Sequence, residues 1–209
     1  MKKTSTSLIK TIFGLDNAFV RTCALIYDLM LVNVLFVLTS LPVLTIGMSK
    51  YSLYQTLTER RKSSEISVIG TYLAYFKSKK GFTLGLVEVL LTAVCLFDML
   101  ILLGQTSFLA QFVKMLSLSI LFLTTMTFLM AYPLETKAEL AFKDLLRQAF
   151  LLAGVHLPVT LLALAVLLGV LFLLLFSGLT LLIGLSLLAL GGYAGLVYGH
   201  LYLLEKRTK

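Results

Sequence analysis

The sequence predicts an all-α protein, a polytopic transmembrane helical bundle that occupies residues 1–209 as a single domain. Its residues are 59% hydrophobic and 13% charged, whereas soluble globular domains carry about 25% charged residues. The run from Gln148 to Leu204 contains no Asp, Glu, Lys or Arg, and lipid is the solvent that suits so long an apolar stretch. The formal net charge is +8. Because the bases flank the apolar stretches, they indicate cytoplasmic loops and no nucleic-acid partner.

Five helices follow from the apolar stretches. A membrane-spanning helix needs about 20 mostly apolar residues, and such stretches predict helices at residues 22–41, 82–103, 112–132, 148–176 and 179–204. The last two come from the run without charges. That run would be ~85 Å long as one helix, so it must fold back once within a hydrocarbon core of ~30 Å. Ser177 and Gly178, near its midpoint, predict the turn.

A sixth helix is predicted at residues 43–61. With five crossings the termini would lie on opposite sides, and the basic N-terminal segment would face outward, against the positive-inside rule. A polar-faced helix that returns after Pro42 places both termini and the basic clusters in the cytoplasm. Gly47 and Ser49 would let it approach a neighbour closely, so Pro42 and Gly47 are candidates for locking helices together. The alternative is five crossings plus a helix lying flat on the cytoplasmic membrane surface.

Several motifs along the chain resemble those of one family. They are Phe13-Gly14-Leu15-Asp16-Asn17, Arg21, Asp28-Leu29, Asn33, Leu41-Pro42-Val43-Leu44-Thr45-Ile46-Gly47, Tyr75-Phe76-Lys77-Ser78, Tyr132-Pro133 and His156-Leu157-Pro158. In order and spacing they resemble the YesL family (DUF624) of bacterial integral membrane proteins. The resemblance implies a multi-pass protein without an established activity. Its relatives often accompany carbohydrate ABC importers and glycan-degrading enzymes in Gram-positive bacteria.

Polar residues inside the first helix are candidates for function or for holding helices together. Asp28 and Asn33 lie within it, and a carboxylate in lipid needs a partner. Arg21, two turns earlier on the same face, and Lys50, on the returning helix, are the possible partners. One interpretation is a structural polar lock between helices. The other is a transport or proton-transfer role.

Three further side chains are weaker candidates for a functional site. His156 and His200 fall near the cytoplasmic ends of antiparallel helices and could meet there, with Glu88 as a third ligand for a metal. The plainer interpretation is two separately hydrogen-bonded histidines and a Glu88 that reaches the membrane surface. We therefore predict no metal site and no cofactor.

A partner-binding surface is predicted on an amphipathic cytoplasmic segment over residues 135–147, which begins after Pro133. Its polar candidates are Glu139, Lys143, Asp144 and Arg147. The run from Glu139 to Asp144, followed by Leu157-Pro158, also loosely resembles the coupling-loop motif of ABC importer permeases, although Leu145 stands where that motif has glycine. Amphipathic helices beside a membrane are common, so the pattern also fits a helix without that role.

We expect a protein that is not an enzyme, since the sequence has no HExxH, nucleophile elbow or phosphate-binding glycine loop. The favoured function, which rests on the family resemblance, is an accessory or regulatory partner of a carbohydrate ABC importer. The alternative is a small secondary transporter or channel-like protein that acts as a dimer. Expected partners are membrane lipid, ABC transporter subunits and, for a homo-oligomer, a second copy. The expected location is the bacterial cytoplasmic membrane, with both termini cytoplasmic.

Overall fold

A computed structural model describes the chain at residues 18–63, 66–137, 140–187 and 191–208. The described part is helical apart from short connections and contains no strand, which confirms the all-α prediction. A 3₁₀ turn at Val43–Thr45 precedes the second helix. The helices are α1 (Ala18–Ser40), α2 (Ile46–Lys62), α3 (Val68–Lys77), α4 (Phe82–Ile101), α5 (Phe108–Glu135), α6 (Phe142–Val155), α7 (Leu157–Phe176), α8 (Gly178–Leu187) and α9 (Tyr193–Thr208).

Three of the described helices are long and apolar enough to cross a membrane: α1 from Phe19 onward, α4 and α5. A fourth candidate span arises if α6 and the first part of α7 are one bent span. Large side chains such as Phe97 of α4 and Phe108 of α5 are exposed, and exposed apolar surface of this kind marks contact with a non-aqueous partner. The described part thus has three to four candidate membrane spans, and the count of six crossings stays a prediction.

The polar helix α2 lies at the centre of the bundle. It contacts α1, α3, α4, α5 and α9, and the four consecutive residues from Tyr51 to Tyr54 are all buried, so every side of the helix is covered. A helix lying on a membrane surface keeps one face in water. The alternative of an interfacial helix at residues 43–61 therefore does not fit, and the segment packs among other helices as a polar-faced helix requires.

Hydroxyl groups let α2 be buried although its sequence is polar. Ser49, Ser52 and Thr56 are fully buried. Each hydroxyl donates a hydrogen bond to the backbone carbonyl four residues earlier, over 2.9, 2.7 and 2.7 Å. These side chains satisfy their donors within the helix and need no water. The sequence pattern of α2 is therefore compatible with a position inside the bundle.

Basic residues lie at both ends of α2. At its start the carbonyl oxygen of Gly81 lies against Gly47, which brings Lys80 to this end. At its C-terminal end Arg60 contacts Asp28, in the first half of α1. The helical rise between Gly47 and Arg60 is ~20 Å. The connection after α2 returns along it through α3, and the prediction that all basic clusters share the cytoplasmic side stays a prediction.

The predicted helix at residues 148–176 is divided in two. α6 ends at Val155, α7 begins at Leu157, and the two helices meet at an angle of 93°. Pro158 occupies the first turn of α7. Proline has no backbone N–H, and inside a helix its ring clashes with the carbonyl four residues earlier. These two properties of Pro158 explain why one continuous helix does not form.

The chain breaks again at Ser177, where the turn is predicted. Ser177 has an extended backbone between α7 and α8. Its backbone N–H donates to Thr180 Oγ1 at 2.9 Å, and the Thr180 N–H donates to Ser177 Oγ at 3.3 Å, a reciprocal pair that caps the start of α8. The predicted helix at 179–204 corresponds to α8 and α9, and residues 188–190 between them lie outside the described part.

Candidate functional site

A charged network inside the bundle centres on Glu88 of α4. The Lys50 ammonium of α2 donates to Glu88 Oε1 at 2.6 Å, and the Tyr132 hydroxyl of α5 donates to Oε2 at 2.7 Å. The side chains of Lys50 and Glu88 are only 19% and 16% exposed. Both carboxylate oxygens therefore have a donor, and the two charges neutralise each other. Lys50, Glu88 and Tyr132, which we call the Glu88 network, join three helices.

Two predictions for this network are wrong. Glu88 lies inside the bundle instead of reaching the membrane surface, and Lys50 pairs with Glu88 instead of with Asp28. The reason is the contact of Gly47 with Gly85. Lys50 lies about one turn after Gly47, and Glu88 lies about one turn after Gly85, so the helix contact brings the two side chains together.

Asp28 has a different partner from those predicted. Its Oδ2 accepts a hydrogen bond from Arg60 Nε of α2 at 2.5 Å, with side chains 19% and 11% exposed respectively. Arg21, the partner expected from the same helix, is exposed. The next residue, Arg61, forms an ion pair of 2.7 Å with Glu205 of α9. The end of α2 is thereby tied to α1 and to α9 by adjacent arginines.

Asn33 holds the start of α9. It is fully buried, and its Oδ1 accepts a hydrogen bond from the backbone N–H of Ala194 at 3.0 Å. The first N–H groups of a helix have no partner within that helix, so Asn33 acts as a cap supplied by another helix. Phe36, three residues later in α1, stacks on Tyr193 with ring centres 4.7 Å apart. This side of α1 therefore has a structural role.

The closest backbone contact joins α2 to α4 through glycines. A Cβ atom on Gly47 would lie 2.3 Å from Gly81 O and 2.4 Å from Gly85 Cα. Gly81 has φ +78°, a left-handed conformation that glycine adopts without strain. Pro42 precedes the 3₁₀ turn that leads into α2, and its carbonyl accepts from the Thr45 hydroxyl at 2.7 Å. Both predicted lock residues, Pro42 and Gly47, thus shape this corner of the bundle.

Two tyrosines tie α3 to the helices beside it. The Tyr72 hydroxyl lies 2.6 Å from Thr39 Oγ1 of α1 and donates to the Ser49 carbonyl of α2 at 3.4 Å. The Tyr75 hydroxyl donates to Glu59 of α2. Because this bond stabilises the neutral hydroxyl, it raises the pKa of Tyr75 to about 12. α3 is therefore held by side-chain hydrogen bonds along α2.

The two histidines have different environments. His156 lies at the break between α6 and α7, and its Nδ1 is 3.3 Å from the Leu152 carbonyl. His200 of α9 is buried, and neither ring nitrogen has a hydrogen-bond partner among the described residues, which contradicts the hydrogen-bonded state expected for it. No group of three or more His, Cys, Asp or Glu side chains gathers in the described part. Glu88, the third ligand considered, is already paired with Lys50 and Tyr132.

The predicted partner surface is organised differently from the expected continuous segment. α5 continues through Pro133 to Glu135, and a new helix, α6, begins at Phe142. Lys143, Asp144 and Arg147 are exposed on α6, whereas Leu145 and Ala149 are buried. Glu139 lies outside the described residues, so its place on this surface stays a prediction. The exposed part of the surface is therefore the beginning of α6.

Several important residues were not among the candidate site residues, although Tyr132 belongs to one of the motifs that resemble the family. Arg60 and Tyr132 carry no local signal, because their partners lie 32 and 44 positions away in the chain. Gly81 and Gly85 could have been found. They stand four positions apart at the start of an apolar helix, which is the spacing of small residues that lets membrane helices approach closely.

Residues 29–99 match the family model described as "Protein of unknown function, DUF624". The matched part includes Asn33, Lys50, Arg60, Gly85 and Glu88, and therefore most of the polar contacts described above. No curated protein and no solved structure matches the chain.

Proposed function

We propose that this chain, whose residues 29–99 match the DUF624 family model, is an accessory or regulatory subunit of a carbohydrate ABC importer. In this proposal it is a multi-pass protein of the bacterial cytoplasmic membrane and catalyses no reaction of its own. Its bundle is a scaffold, and the beginning of α6 binds the importer's ATPase subunit on the cytoplasmic side.

The observation that carries the proposal is the geometry of α6 and α7. α6 presents Lys143, Asp144 and Arg147 outward and meets α7 at 93°. The break falls at Leu157-Pro158, the same dipeptide that ends the stretch resembling an importer coupling loop. A short helix with exposed charges, followed by a right-angled turn into an apolar helix, offers a partner a fixed polar face. This arrangement supports a docking role for α6.

The ion pairs between helices favour a role as a scaffold and count against a translocation pathway. Lys50 with Glu88, Arg60 with Asp28 and Arg61 with Glu205 each join two different helices. A proton or ion pathway needs charged groups that exchange partners during transport. Pairs at 2.5–2.7 Å with side chains mostly covered by other helices instead favour the polar-lock interpretation of Asp28.

One observation favours the second candidate, a small secondary transporter acting as a dimer. Transporters often bind substrate where a membrane helix is broken, and the α6–α7 break at His156 is of this kind. Purified protein in liposomes should then move a sugar or an ion across the membrane. If liposomes with the protein take up no more than liposomes without it, the transporter function is refuted.

A site-specific cross-link tests the docking role. A photo-reactive amino acid replaces Lys143 in cells that express the importer and take up its sugar. We expect one adduct, containing the ATPase subunit. The same amino acid at Lys114, near the α4–α5 connection, is the matched control and should give no such adduct. An ATPase adduct from both positions, or from neither, would contradict the proposal.

A further inference from the structure

Three exposed lysines lie on the connection between α3 and α4. Lys77 is the last residue of α3, and Lys79 and Lys80 come shortly before α4 begins. Glu135 lies near Lys80, but no carboxylate among the described residues forms an ion pair with Lys77 or Lys79. Residues 77–80, which we call the lysine turn, therefore carry positive charge that the described part of the chain does not neutralise.

The backbone of the lysine turn favours glycine where the chain has Lys79. Of the described residues other than glycine, Lys79 alone has a positive φ, of +57°. Glycine is the usual residue in this left-handed conformation just after a helix, because a Cβ atom there crowds the following carbonyl oxygen. Residues held in such strained conformations concentrate at functional sites. The charge of Lys79 therefore explains its presence better than the local fold does.

An apolar edge adjoins the lysine turn. The 3₁₀ turn at Val43–Thr45 contacts α4, and Gly47, two residues further on, lies against Gly81. Around this 3₁₀ turn Leu41 is 73% exposed and Leu44 is 64% exposed. Exposed basic and exposed apolar side chains are therefore neighbours at one end of the bundle.

Two candidate membrane spans stop at this end of the bundle. α4 begins at Phe82 and α5 ends at Glu135, and the Glu135 carboxylate is hydrogen-bonded by the backbone of Gly81. Lys137, just beyond α5, is also exposed. Residues that flank the ends of membrane spans lie at the level of the lipid head groups. The lysine turn and its apolar edge are thus placed where a surface can contact head groups and acyl chains together.

We propose that the lysine turn binds the head group of an anionic phospholipid. The phosphate oxygens accept hydrogen bonds from Lys77 and Lys79, and Leu41 and Leu44 enter the adjoining acyl-chain region. Charge alone would suit free phosphate or an acidic protein equally well. The apolar edge favours lipid, because a lipid supplies a negative head group and an apolar phase side by side. The site uses residues other than Lys143 and Arg147, so it is independent of the docking role of α6.

Two photo-reactive lipids test the proposal. Phosphatidylglycerol and phosphatidylcholine probes carry the same diazirine at the carboxyl end of one acyl chain. The full chain is reconstituted in phosphatidylcholine nanodiscs with the same small fraction of either probe, and labelled peptides are mapped by mass spectrometry. We expect the phosphatidylglycerol probe to label the peptides around the lysine turn about five- to 25-fold more strongly, since each lysine near an anionic surface contributes about fivefold. Excess inorganic phosphate at constant ionic strength should leave this preference unchanged.

Variants of the lysine turn separate binding from folding. Lys79→Gly relieves the strained backbone and removes one charge, so the protein should be at least as stable as the unmodified chain, while the preference falls about fivefold. Lys77→Gln with Lys79→Gly should label equally with both probes, and Lys77→Arg with Lys79→Arg should keep the preference. The matched control is Lys62→Gln with Lys206→Gln, at exposed lysines of α2 and α9, which should leave labelling of the lysine turn unchanged.

Equal labelling of the lysine turn by both probes in the unmodified chain would overturn the proposal. A preference that survives in Lys77→Gln with Lys79→Gly would also overturn it, as would a preference lost equally in the control variant. Loss of the preference in excess phosphate would mean that the lysines bind free phosphate instead of lipid. If neither probe labels the turn, this surface lies in water or against another protein, and the lipid site is refuted.

Discussion

Gly47 of α2 and Gly85 of α4 lie so close that a Cβ on Gly85 would stand 2.1 Å from Gly47 Cα. Neither residue can carry a side chain unless the two helices separate. The contact also sets the register of the Glu88 network, because Lys50 and Glu88 each lie about one turn further along. The position of the central charges therefore depends on two glycines.

Replacing Gly47 by alanine should destabilise the bundle. The new methyl group would lie 2.3 Å from Gly81 O and 2.4 Å from Gly85 Cα, and backbone atoms cannot rotate away as side chains do. We expect a loss of about 2 kcal/mol or more in the free energy of unfolding, in the range of overpacked cores. Unfolding in mixed micelles with increasing denaturing detergent measures it. Gly154→Ala, where the added Cβ meets nothing within 4 Å, should be neutral or slightly stabilising, and equal stability of both variants would disprove the contact.

The Lys50–Glu88 pair should behave as a coupled unit. Lys50→Met leaves the Glu88 carboxylate with only the Tyr132 hydroxyl, and breaking a buried pair costs about 3 kcal/mol or more. Replacing both partners together, as Lys50→Met with Glu88→Gln, removes the unpaired charge and should recover much of this loss. A double-mutant cycle of unfolding free energies measures the coupling. Strictly additive effects would mean that the two side chains do not interact.

Asp28→Asn tests whether the carboxylate is a lock or a functional group. Without its charge the Arg60 guanidinium is left unpaired among helices, so we expect a fall of several fold in the amount of folded protein in the membrane. Arg21→Gln, at an exposed arginine, should leave the amount unchanged. The exchanged pair Asp28→Arg with Arg60→Asp should restore part of it. A normal amount of Asp28→Asn protein together with altered sugar uptake would instead assign Asp28 a functional role.

The general class of the protein was readable from the sequence, and the pairing of its helices was not. The run from Gln148 to Leu204 predicts helices in lipid because no charge interrupts it. The role of Gly47 was also readable, since a small residue in a polar-faced helix allows close packing. The partner of Asp28 was not, because Arg60 becomes its neighbour only when α1 and α2 pack antiparallel in one register. The break at His156 could have been expected from Pro158, yet its angle depends on how α6 packs against α5.

The orientation in the membrane is open to direct measurement. A cysteine replacing Lys143, in a chain with Cys23 and Cys95 changed to alanine, should react with an impermeant maleimide only from the cytoplasmic side. The docking role requires this result, because an ATPase subunit binds there. Reaction from the outside alone would refute that role whatever the number of crossings.

The side of the membrane on which the N-terminus lies needs a separate measurement, because basic residues lie at both ends of α2 and charge alone does not orient the bundle. A reporter fused at residue 1 should be cytoplasmic in the six-crossing arrangement. An outward-facing reporter would contradict that arrangement and leave the docking surface on α6 unaffected.

Affinity capture from native membranes tests the accessory role most directly. The tagged chain is purified from cells grown on the importer's sugar, and the importer subunits that accompany it are quantified. We expect the ATPase subunit to co-purify with the unmodified chain. In the double variant Lys143→Glu with Arg147→Glu, the amount that co-purifies should fall at least tenfold. The matched control is the double variant Lys62→Glu with Lys77→Glu, at exposed lysines elsewhere. It should retain the ATPase subunit. Capture without any importer subunit, together with unchanged sugar uptake after deletion of the gene, would contradict the account.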